Sequence, residues 1–132
     1  MMARIPTLIY PLIIYNLFGL FAPNVLEQVM FRSFLISGSE FIFTVGHLFL
    51  ILGVVFLTVE VIKSTRTSVE SVLDHSFSLI VFVLYLLEFI LVRYAGNAVF
   101  LILTLMSLAD VITGFTVTIF AARRDVAVDR AY

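Results

Sequence analysis

The sequence predicts an all-α integral membrane protein, a small bundle of four antiparallel transmembrane helices with both termini cytoplasmic. Two observations carry that expectation. Hydrophobic residues make up 62 % of the 132 residues and charged ones 13 %, against ~45–50 % and ~25 % in soluble domains. A fold of this size has too little interior to hide so much apolar surface. The second is Phe41–Ile62, whose only polar side chains are Thr44, His47, Thr58 and Glu60. At ~1.5 Å per residue it reaches roughly 33 Å, enough to cross a bilayer core.

The first span is expected over 5–26. Tyr10, Tyr15 and Asn16 inside it, and the absence of a following soluble domain, oppose reading Met1–Arg4 and the apolar run as a signal peptide. Pro11 is expected to kink this helix and Pro23 to mark its exit. Glu27–Ser39 reads as a mildly amphipathic connector at the membrane interface, with Ser39 as a candidate cap for the second helix. The second span is 41–62, followed by a polar connector, 63–74. Ser71 and Asp74 have capping-box spacing, which would start the third helix before its span at 77–92. Ala95, Gly96 and Asn97 make a tight turn into the fourth span, 98–120, and 121–132 is a charged tail. The whole chain is one transmembrane domain.

Orientation follows from the basic residues. Arg4, Lys63, Arg66, Arg123, Arg124 and Arg130 fall on one side and only Arg32 and Arg93 on the other. The first side is therefore expected to be cytoplasmic, in a plasma membrane and specifically a bacterial inner membrane.

Five residues are out of place in lipid. Counting ~1.5 Å per residue from each helix midpoint puts Asn16, His47, Tyr85, Glu88 and Asp110 in one slab near mid-membrane. His47 and Glu88 fall level, so they are expected to pair. On the second helix Glu40, Thr44, His47 and Ile51 form one stripe, while Gly46, Gly53 and Glu60 form another. Ser78, Tyr85 and Glu88 share a face of the third helix, and Thr104, Ser107, Asp110, Gly114 and Thr118 a face of the fourth. Hydrocarbon cannot solvate such groups, so the polar stripes should turn inward. The small residues Gly46, Gly53, Ser107 and Gly114 are expected to let helices approach closely. Glu60, Asp74 and His75 are expected near a membrane surface, within reach of water.

Motif chemistry is excluded by what the chain lacks. With no cysteine, thiolate metal sites and cysteine nucleophiles drop out, and a net charge of −1 opposes a nucleic-acid partner. Neither HExxH nor histidines at i, i+4 occur, and GxSxG, P-loop and GxGxxG patterns are missing, so no metal or cofactor is implied. Small four-helix subunits of bacterial secondary transporters and respiratory enzymes have this size and topology, an analogy that rests on no residue. The expected role is non-enzymatic: an accessory subunit packing against itself, as a homo-oligomer, or against a larger membrane-protein complex. The alternative is a proton- or cation-translocating component that uses the intramembrane polar cluster.

Overall fold

A computed structural model describes residues 5–22, 24–65 and 69–129. The element order is α1 (Ile9–Phe21), β1 (Val29–Phe34), β2 (Glu40–Thr44), α2 (Val45–Ser64), α3 (Val69–Leu91) and α4 (Ala98–Asp129), with short 3-10 turns at Val25–Glu27 and Arg93–Ala95. The fold is mostly helical. Three helices, α2 to α4, are long and apolar enough to cross a membrane.

The first helix departs from the expected four spans. α1 has 13 residues and reaches only about 20 Å at 1.5 Å per residue, short of a ~30 Å hydrocarbon core. Pro11 does not kink it. Pro11 is the third helical residue, where the N–H it lacks would have had no intrahelical acceptor. The helix ends at Phe21, before Pro23, which lies outside the described residues, as do Met1–Arg4. No side chain caps the start of α1 from within; the backbone N–H of Thr7 instead donates to the Glu60 carboxylate on α2.

The connector at 27–39 is a β-hairpin rather than an amphipathic segment. β1 and β2 pair antiparallel, Phe31 opposite Phe43, Arg32 opposite Ile42, Ser33 opposite Phe41 and Phe34 opposite Glu40. Val, Met and Phe on β1 and Phe and Ile on β2 flank the sequence Ser37-Gly38-Ser39, a strand–turn–strand signal. Gly38 takes φ 84° in the turn, a conformation that favours glycine, and its N–H donates to Leu35 O at 2.9 Å. Hydropathy alone cannot see this, because β2 runs into α2 without a polar break. Thr44 is both the last strand residue and the N-cap of α2, so Ser39 has no part in capping it.

The last two helices are longer than their spans. α3 begins by Val69, ahead of the expected Ser71 to Asp74 start, and Arg66–Ser68 fall outside the described residues. α4 continues through the charged tail to Asp129, since nothing in Ala121–Asp129 breaks a helix; residues 130–132 are outside the description. α4 is the central element, packing most extensively on α3 and on α2. In the apolar core Leu8, Leu12, Tyr15, Phe49, Tyr85, Phe100 and Leu103 are all buried. Tyr15 sits edge-on to Phe49 and Phe100 with ring centroids 5.4 and 4.7 Å away, arrangements that add to the area buried.

Candidate functional site

The residues of the expected slab and their polar neighbours fall into two clusters at different levels of the bundle. Glu88 and Ser78 mark their levels on α3, ten residues apart, which is about 15 Å along the helix.

The cluster at the hairpin end is built from α1, the end of α3 and the turn before α4. Asn16 Nδ2 donates to Glu88 Oε2 at 2.7 Å and to Leu12 O at 3.0 Å, while its Oδ1 accepts from the Tyr94 hydroxyl. Tyr15 OH donates to Tyr94 O at 3.1 Å and accepts from Asn97 Nδ2 at 2.6 Å. Asn97 also caps α4, its Oδ1 accepting from Phe100 N at 3.0 Å. Burial, and then the charge of Glu88, push the Tyr94 phenol above its ordinary value and keep it a donor. Tyr94 and Asn97 were not among the expected site residues. The signal was present in Gly19: a Cβ there would fall on the Tyr94 ring, so only glycine lets that ring lie against α1.

His47 belongs to neither cluster. Its Nδ1 accepts from Thr44 N at 3.1 Å, its own N–H donates to Thr44 Oγ1 at 3.4 Å, and its side chain is exposed. It is the third residue of α2 and completes a capping box there. The expected pairing with Glu88 is absent; Asn16 occupies that carboxylate. Counting depth from Phe41 placed His47 too far inside, because the helix begins at Val45. His47 instead lines an open groove of about 500 Å³ with Glu27 and Asn97.

The second cluster lies at the end where α2 leads to α3. Glu60 is 6 % exposed, not a surface carboxylate. It accepts from Thr7 N and from Lys63 Nζ at 3.1 Å, and Lys63 Nζ also donates to Ile5 O at 3.2 Å. Asp110 is buried on α4 and accepts from the Ser78 hydroxyl. His75 is also buried, its ring against Gly114, where a Cβ would overlap it. Ser107 Oγ is buried in this region without a hydrogen-bond partner, and so is Asp74 Oδ1. Tyr85, the remaining expected residue, spans neither cluster; its hydroxyl donates to Leu8 O at 2.9 Å.

No family model, curated protein or solved structure matches the chain.

Of the two stripes of α2, only the small one turns inward. Gly46, Gly53 and Glu60 are buried, whereas Glu40, His47 and Ile51 are exposed. A Cβ at Gly53 would stand 2.6 Å from Leu103 Cδ2, and one at Gly46 would be 3.0 Å from Val99 Cγ2. Both glycines therefore set how closely α2 approaches α4. Among the described residues, no group of three or more His, Asp or Glu side chains is arranged to hold a metal ion.

Proposed function

We propose that the chain is an integral membrane protein of a plasma membrane, specifically a bacterial inner membrane, with both termini cytoplasmic. In this reading it is a non-enzymatic accessory subunit that packs laterally against its own copies or a larger membrane-protein complex. The observation that carries the reading is how the chain divides its polar and apolar groups. Asn16, Tyr85, Glu88 and Glu60 are consumed by bonds between its own elements. The three candidate spans meanwhile keep most of their length open, with 22 %, 22 % and 39 % buried. Ile51, Leu91 and Phe120 exemplify the apolar surface left outside. Lipid and lateral partners would cover such a surface; water would not.

Gentle detergent extraction followed by native mass measurement tests the role. The expected result is a homo-oligomer or a co-purifying membrane chain, and a clean monomer in several mild detergents overturns it. Reporter fusions after Tyr132 and in the α2–α3 connector are expected to read cytoplasm, and those at Ser33 and Gly96 the outside.

A second reading, translocation of a proton or a cation, is favoured by one observation. Glu60, His75 and Asp110 are three buried ionisable side chains, one on each of the three candidate spans. Flux in proteoliposomes carrying a pH-sensitive dye, lost in Asp110→Asn and Glu60→Gln, would favour this reading over the accessory role.

A further inference from the structure

The hairpin sorts its side chains by face. Phe31, Phe41 and Phe43 share one face, with ring centroids 5.0 Å apart for Phe31–Phe43, 6.0 Å for Phe31–Phe41 and 6.3 Å for Phe41–Phe43. Arg32 and Glu40 share the other with Ile42 and Phe34, the two charged groups 3.6 Å apart and largely in the open. Every residue of β1 is exposed and so is Phe41, while Phe43 is half-buried beside the His47 ring, so among the described residues the aromatic face is left largely uncovered. A two-stranded hairpin of this size is marginal in water by itself.

Its position is fixed at both strand bases. Thr44 ends β2 and caps α2, and Val45 N donates to Gln28 O at 3.0 Å, tying the start of β1 to the same helix end. α2 has 20 residues, about 30 Å, which is one hydrocarbon core thickness. A hairpin held at its end therefore sits at the boundary between acyl chains and headgroups. The outer edges of the two strands carry backbone N–H and C=O groups that hydrocarbon cannot satisfy. The boundary layer alone offers acyl chains to the aromatic face together with water for the edges and the ion pair.

We propose that this hairpin is a lipid-binding element that lies in the outer headgroup layer, its Phe31–Phe41–Phe43 face on the acyl chains and its Arg32–Glu40 face toward water. The proposal rests on the membrane reading above and adds the ligand, phospholipid, and the face that takes it.

The chain has no cysteine, so single cysteines can be spin-labelled without background. Ser33→Cys reports the aromatic face with all three phenylalanines intact, Ile42→Cys the charged face, and Ile51→Cys the outside of α2. In vesicles of phosphatidylcholine and phosphatidylglycerol, the readout is the ratio of collision with dissolved oxygen to collision with a water-soluble nickel chelate. The Ile51 label is expected to have the highest ratio, and the Ser33 label a ratio several-fold above that at Ile42. An aqueous ratio at Ile51 would sink the membrane reading and the proposal with it. A lipid ratio at Ile51 with equal ratios at Ser33 and Ile42 overturns the proposal alone. So does spin–spin broadening at Ser33 that disappears on dilution with unlabelled protein, since a second copy would then cover the face.

Discussion

The two ends of the bundle bury polar groups in opposite ways. At the hairpin end, Asn16, Tyr15, Tyr94 and Asn97 form a network of amides and phenols around one carboxylate, and each named group has a partner. Toward the other end, Glu60 is paired with Lys63, Asp110 accepts from Ser78, His75 is buried against Gly114, and the Ser107 hydroxyl is buried unpaired. A network of amides and phenols around a single carboxylate fixes register at modest cost to each member. A cluster of charges depends on every member, because removing one leaves another uncompensated in low dielectric. The hairpin end thus reads as structure, and the other end as the place where the chain is most sensitive to change.

That contrast can be broken most directly at Glu60. Glu60→Leu would strip the partner from Lys63 and from Thr7 N–H. The Lys63 side chain is 25 % exposed and can turn outward, so the loss is expected near the low end for a broken buried pair, about 3 kcal/mol. Glu60→Gln, which keeps an acceptor for Thr7, should lose less. Thermal unfolding in detergent measures both, and a Glu60→Leu loss no larger than that of Asn16→Leu would erase the difference between the ends.

Asn16→Leu is the matching change at the hairpin end. It leaves the Tyr94 hydroxyl and the Glu88 carboxylate without their partner, with an expected loss of about 1–3 kcal/mol. In a double-mutant cycle Asn16 and Glu88 should couple by about 0.5–3 kcal/mol, whereas His47→Leu and Glu88→Leu should add. Additivity between Asn16 and Glu88 would mean that the 2.7 Å bond contributes nothing.

A smaller effect is expected at alkaline pH. The Tyr94 phenol is raised above 10.0 by burial and by Glu88, so the folded chain holds this proton more tightly than the unfolded one does. Its contribution is complete below the ordinary tyrosine value and is lost as pH climbs from there through the raised one. Melting temperatures taken across that window should fall less in Tyr94→Phe than in the native chain.

Ser107→Ala is expected to do least. Its Oγ is buried and unpaired, so removing it deletes an unsatisfied group, and stability should stay within about 0.5 kcal/mol or rise. A clear loss by calorimetry would show that the hydroxyl has a partner, and the second end would look more like the first.

How far the sequence could be read depended on which signal each element offered. The long helices α2, α3 and α4 were legible because uninterrupted apolar length is hard to produce any other way, and the polar faces of α3 and α4 turn inward as helical spacing implies. Ser78, Tyr85, Thr104, Ser107 and Asp110 are all buried. The hairpin was hidden because Phe41–Thr44 has the same hydropathy as the helix it joins. On α2 the polar stripe misled and the small one told the truth. Gly46 and Gly53 mark the contact with α4 since only a bare backbone fits there, while His47 is polar for a local reason, to close the first turn. Glu60 was mistaken for a surface carboxylate because depth counting ignores what else reaches the same level. Here the start of α1 folds over it.

The shortness of α1 has a consequence for the surroundings. Ile13, Leu17 and Leu20 show that one side of this helix faces outward, yet its apolar cylinder is about 20 Å tall beside an α2 of about 30 Å. In a bilayer the leaflets would have to draw together along that flank alone, since each ångström of mismatch carries a small elastic penalty. The molecule would then act as a wedge in membrane thickness, thin on the α1 side and full on the other. Its lateral distribution, and the flank on which a neighbour settles, would be set by that step before any specific contact formed.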